Sequence, residues 1–161
     1  MILGHKISNL KWDDYLILFI FFILIILPEY FPNYYIEFLV PWIIGWATIN
    51  SPLGIKFSNF FFSIAWLILC WIFYLKNSTF FPLLPILGYI NYQIIRGIYW
   101  LNYKREFIPV FFHNSGFELR YSKSENRRAD KHDGYFSLIN FTTGLIIFVI
   151  YLLWLKDNEL I

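Results

Sequence analysis

With one cysteine among 161 residues, the chain can form neither an internal disulfide nor a thiolate metal site of its own. Cys70 lies inside an apolar block, which leaves no redox pair. Charge is scarce too: 15% of residues are charged and 58% hydrophobic, outside the usual balance of a soluble globular domain. Alanine is confined to Ala47, Ala65 and Ala129 while Phe (19) and Tyr (12) abound, the pattern AT-rich codons produce. A net charge of +2 is too small to argue for nucleic acid as a partner. The chain contains no phosphate-cradling Gly loop and no nucleophile elbow. His5, His113 and His132 have no metal-binding spacing, so no metal site is expected, the cofactor is unknown, and the balance is against an enzyme.

What is present is a series of apolar blocks separated by polar or Pro- and Gly-containing joints. A helix needs about 20 residues to cross a hydrocarbon core of ~30 Å. Five blocks approach this, over residues 12–27, 34–49, 57–75, 80–103 and 136–155. The expected fold is therefore an all-α membrane protein, a single polytopic domain of five transmembrane helices. The first block resembles a signal sequence in length, but Pro28-Glu29-Tyr30-Phe31 offers no small-x-small cleavage site, so an uncleaved helix is expected.

Basic residues divide unevenly between alternate joints. Lys6, Lys11, Lys56, Lys104, Arg105, Arg120, Lys123, Arg127, Arg128 and Lys131 fall on one side; Lys76 and Lys156 fall on the other. By the positive-inside rule the N-terminus faces the cytoplasm or matrix and the C-terminus lies opposite. The expected location is a bacterial cytoplasmic membrane or the mitochondrial inner membrane.

Residues 104–135 form the one long water-facing loop. Its first half reads as a β-hairpin, with 107–112 and 117–122 as strands around His113-Asn114-Ser115-Gly116, and Pro109 would hold its strand at an edge. Its second half reads as a solvated linker. There Lys104, Arg105, Arg120, Arg127, Arg128 and Lys131 are candidates for contact with lipid head groups or a partner. Asp130-Lys131-His132-Asp133 reads as a solvated mixed-charge turn rather than a metal or phosphate site.

Ionisable residues inside a span are functional candidates, which singles out Arg96 and Glu37. Arg96 lies about 24 Å along the fourth helix, some 6 Å short of the edge, within reach of a snorkelling side chain. Glu37 lies near the opposite surface, about 18 Å from Arg96 along the membrane normal, too far for an ion pair. Both are expected as boundary residues. Tyr89, Tyr92, Gln93, Arg96, Trp100 and Tyr103 recur every three or four residues and share a face, with Asn91 and Asn102 off it. That stripe is expected to face protein as a helix-packing seam, with a ligand site as the alternative.

These features favour a non-catalytic membrane subunit of a larger complex, such as a respiratory or other energy-transducing assembly. The expected partners are membrane lipids and other membrane subunits. The competing reading is a small autonomous transporter, pore, or membrane-acting defence or immunity protein that uses the stripe on the fourth helix.

Overall fold

The computed structural model describes residues 9–30, 34–49, 51–54, 56–76, 83–110, 112–113, 116–117, 121–122 and 126–158. The principal helices are α1 (Trp12–Tyr30), α2 (Tyr34–Ile49), α4 (Phe60–Lys76), α5 (Leu84–Tyr103) and α6 (Lys131–Asp157). A four-residue turn, α3 (Ser51–Gly54), and a 3-10 turn (Lys56–Ser58) lie between α2 and α4.

Local chemistry sets most of the helix ends. Asp13 and Asp14 occupy the first turn of α1, where carboxylates favour the helix dipole, and Asp14 accepts the Lys11 amide at 2.8 Å. Asn59 caps α4, its Oδ1 accepting the amides of Phe61 (2.9 Å) and Phe62 (3.4 Å). Pro85 sits at the start of α5, where a missing N–H is harmless. Lys104 closes α5 in the left-handed region (φ 54°), and its N–H donates to Trp100 O at 2.8 Å. Asp130 caps α6 through a reciprocal capping box with Asp133. This cap starts α6 at Lys131, five residues before the apolar block begins, and shortens the expected loop accordingly.

Ion pairs at both ends fix the relative direction of α1 and α4. At one end Lys56 bridges Asp13 and Asp14, the latter at 2.6 Å; at the other Lys76 meets Glu29 at 2.6 Å. The two helices run parallel. Phe21 and Ile25 of α1 pack with Phe62, Trp66, Cys70 and Phe73 of α4, joined by Val40 and Ile44 of α2 and Tyr92, Ile95 and Tyr99 of α5. α2 and α5 make the most extensive contact. Gly88 permits it: a Cβ there would overlap Thr48 Oγ1 and stand 3.1 Å from Gly45 O. α6 runs antiparallel beside α5, and Phe148 packs with Ile49 and Leu84.

Among the described residues α6, at 27 residues, is the one helix both long and apolar enough to cross a membrane. Leu39–Ile49 and Phe60–Lys76 are apolar but shorter. α1 and α5 reach 19 and 20 residues, but α1 carries Asp13, Asp14 and Glu29, and α5 carries Asn91, Gln93 and Arg96 in its interior.

The loop differs from the expected single hairpin. Phe112–His113 (β1) pairs antiparallel with Gly116–Phe117 (β2), and Tyr121–Ser122 (β3) pairs with Arg127–Arg128 (β4). Residues 106–110 join neither pair. They carry no regular secondary structure, and 107–110 are buried.

Candidate functional site

Among the described residues, a dense set of polar bonds lies where residues 106–110 fold back along the last turns of α5. The left-handed turn at Lys104 reverses the chain. Glu106 thereby returns to Arg96, two to three turns up α5, in a two-point ion pair: Nη2 donates to Oε2 at 2.9 Å and Nε donates to Oε1. Gln93 Oε1 accepts from Arg96 Nη1 at 3.1 Å, while Gln93 Nε2 donates to Phe57 O at 3.4 Å. At 3% exposure Arg96 is an internal ion-pair partner and not the snorkelling boundary residue expected. From the sequence Glu37 is the partner to weigh for Arg96, whereas the partner is Glu106 from the returning chain.

Beyond Glu106 the returning chain bonds to helix side chains as a strand would bond to a neighbour. The amide of Ile108 donates to Asp133 Oδ1 at 2.9 Å and that of Val110 to Ser137 Oγ at 2.8 Å. Residues two apart in an extended chain face the same way with a rise of about 6.7 Å, and residues four apart on a helix stand about 6.0 Å apart on one face, so the two spacings match. Pro109 faces the other way, toward Gly54 and Tyr92, where it needs no N–H.

Asp133 anchors this end. It is fully buried, and its two oxygens accept from Ile108 N, Asp130 N (3.0 Å), Arg127 Nη1 (2.6 Å) and Arg127 Nη2 (3.1 Å). Four donors fill the acceptor capacity of a carboxylate. Arg127 also donates to Glu106 O at 2.6 Å and Tyr99 Oη at 3.4 Å. Burial works against the charge on Arg127, but Asp133 outweighs it and raises the pKa above the ordinary arginine value. Burial likewise pushes the Asp130 carboxyl upward, yet the Asp133 amide and Arg105 hold it below the usual aspartate value. The stretch 127–133 is thus a helix cap with a buried ion pair and not a solvated linker.

A second polar cluster joins α5, α6 and the end of α2. Asn91 Nδ2 donates to Asn140 O (2.9 Å) and Oδ1 (3.0 Å), Asn140 Nδ2 donates to Ile49 O (2.8 Å), and Thr143 Oγ1 donates to Asn91 Oδ1 (3.0 Å). Asn102, the other asparagine set apart from the stripe, donates to its own helix at Ile98 O.

The stripe residues fall around these clusters. The Tyr89 ring meets Phe57 at 5.0 Å, and Tyr92 lies between Phe57 and Phe107 at 5.7 and 5.9 Å. Trp100 lies beneath the Lys104 ammonium at 5.0 Å. Tyr103 stacks near Tyr99 at 4.7 Å, and its hydroxyl is 3.1 Å from His132 Nδ1. Of the basic set, Arg105 pairs with Asp130, whereas Lys104, Arg128 and Lys131 are exposed. Arg120 and the Glu37 side chain lie outside the described residues. Sequence reasoning missed Tyr99, Glu106 and Ser137, and took Asp133 for part of a solvated turn. A signal existed for Asp133, because Asp130-x-x-Asp133 has the spacing of a capping box.

No protein-family model, curated protein or solved structure matches the chain.

Proposed function

We propose that the chain is a five-span integral membrane protein acting as a non-catalytic subunit of a larger membrane assembly. One observation carries this reading: polar groups are buried while continuous apolar faces are exposed. Asn91, Arg96, Asp133 and Asn140 lie inside. Outside, Phe61, Ile64, Ile68, Trp71 and Leu75 run down α4, and Ile146, Ile150 and Leu153 line α6. Scattered exposed apolar residues are ordinary on a soluble protein, but unbroken helical faces of them are not. In lipid that distribution is the stable one, because Asn91, Arg96, Asp133 and Asn140 find partners inside the bundle.

The helix directions support the five-span arrangement. α1 and α4 run parallel and α5 and α6 antiparallel, and Lys104, Arg105, Arg128 and Lys131 gather where α5 ends and α6 begins. The non-catalytic reading is supported by the site itself, in which Arg96, Glu106, Arg127 and Asp133 are engaged with one another and with backbone. An anion-selecting role for Arg96 lacks such support, since Glu106 occupies its guanidinium.

The test is alkaline carbonate extraction of membranes, followed by native-size measurement and mass spectrometry in a mild detergent. Retention in the bilayer with reproducible larger partners is expected. Release by carbonate would refute the membrane reading, and a lone monomer would refute the subunit reading. In a Cys70→Ala background, Ser122→Cys and Asn158→Cys should label from opposite sides; labelling from the same side rules out five spans.

A further inference from the structure

The outer face of α5 has a feature that the polar network does not explain. Ile90, Ile94, Ile98 and Leu101 are exposed in a line at helical spacing, spanning about 16 Å at 1.5 Å per residue. That is about half of a ~30 Å hydrocarbon core, the depth of one leaflet. At the end of the line Trp100 lies under the exposed Lys104 ammonium. The Tyr103–His132 contact ties this end of α5 to the first turn of α6, where Lys131 is also exposed. The nearby Asp130 carboxylate is already occupied by Arg105 and by the α6 amides, so it leaves the two lysines their positive charge.

We infer that this face seats an anionic phospholipid of the leaflet at the basic end, with an acyl chain along Ile90–Leu101 and its phosphate at Lys104 and Lys131. The inference rests on the membrane reading and adds a lipid class and a place. Charge decides the class. A zwitterionic lipid would fit the apolar line equally well but would gain little from two lysines, whereas an anionic head group gains from both.

The experiment titrates the detergent-solubilised full chain with phosphatidylglycerol or phosphatidylcholine and counts bound lipid by native mass spectrometry. The wild type should retain phosphatidylglycerol in preference. K104A/K131A should bind it on the order of thirtyfold more weakly, since each basic residue near a membrane surface contributes about a fivefold effect. K156A, at the opposite end, should bind as the wild type does, and matching helicity and melting of all three proteins exclude misfolding. Equal retention of the two lipids by the wild type, or unchanged phosphatidylglycerol binding by K104A/K131A, would overturn the inference while leaving the protein in the membrane. Release of the wild type from membranes by carbonate would instead overturn the reading beneath it.

Discussion

The α5–α6 half and the α1–α4 half reach order by different means. Between α5, the returning segment 106–110 and α6, ring contacts of Tyr99 with Phe107 and Phe136 are joined by directional bonds: Arg96 to Glu106, Arg127 to Asp133, Asn91 to Asn140, and two backbone amides to Asp133 and Ser137. Between α1 and α4 the interior is aromatic and aliphatic. Phe21 lies 4.4 Å from Trp66 and 6.3 Å from Phe73, with ion pairs confined to the two ends. Packing of the second kind tolerates small shifts, whereas a buried charge allows few alternatives once its partner is placed. The half with the larger polar content should therefore be the more specific and the more vulnerable.

Asp133→Ala breaks this contrast most severely. It leaves Arg127 without its carboxylate, the Ile108 amide without an acceptor and α6 without half its capping box, a loss of about 3–5 kcal/mol. Reversible unfolding in detergent should show it; a loss under about 1 kcal/mol would mean that water already solvates this end. Next comes Glu106→Gln, which keeps the shape but strands the Arg96 charge, for about 2–3 kcal/mol. Replacing both partners, as Arg96→Met with Glu106→Leu, should restore most of that loss if the pair serves specificity more than stability, and a double variant no better than the single one would contradict this.

The glycines sharpen the comparison at smaller magnitude. Gly88→Ala forces a methyl into Thr48 where α2 and α5 touch and should cost about 1–3 kcal/mol. Gly97 has open space around its Cβ position, so Gly97→Ala on the same helix should be neutral or stabilise by up to about 1 kcal/mol. Melting temperatures of the two variants should move in opposite directions, and a parallel shift would place the α2–α5 contact elsewhere.

The smallest effect is on pH dependence. Asp130 titrates below its ordinary value, so it stabilises the fold above the unfolded aspartate pKa, and that contribution disappears as pH falls through the folded value. Lys56 titrates above the ordinary 10.5 because Asp13 and Asp14 outweigh its burial; its contribution is complete below that value and fades as pH rises through the folded one. Acid should therefore weaken the α6 cap, and alkali the α1–α4 end. Melting curves of Asp130→Asn should show a shallower acid slope than the wild type, and an unchanged slope would remove Asp130 from the account.

Periodicity and Pro-Gly joints made the helices legible, because apolar runs of that length have few other solutions. Their polar ends were harder to read. α6 was placed late because Lys131, His132 and Asp133 are not apolar, although they are helical and held by a cap. Asn91 and Asn102 looked alike in sequence and differ in space, one bonded across to α6 and the other to its own turn. The segment 107–110 was legible as apolar, although the hairpin strand expected there is not formed. Its partner was not legible, because pairing this segment with helix side chains depends on a chain reversal at Lys104 that no local pattern announces.

That pairing also makes the segment a vernier. Amides two residues apart meet helix side chains four apart, so slipping the segment by one residue would present Pro109, with no hydrogen to offer, to Asp133 or Ser137, and would turn Ile108 and Val110 outward. A single residue inserted at 104–107 would therefore break the register of both amides with Asp133 and Ser137.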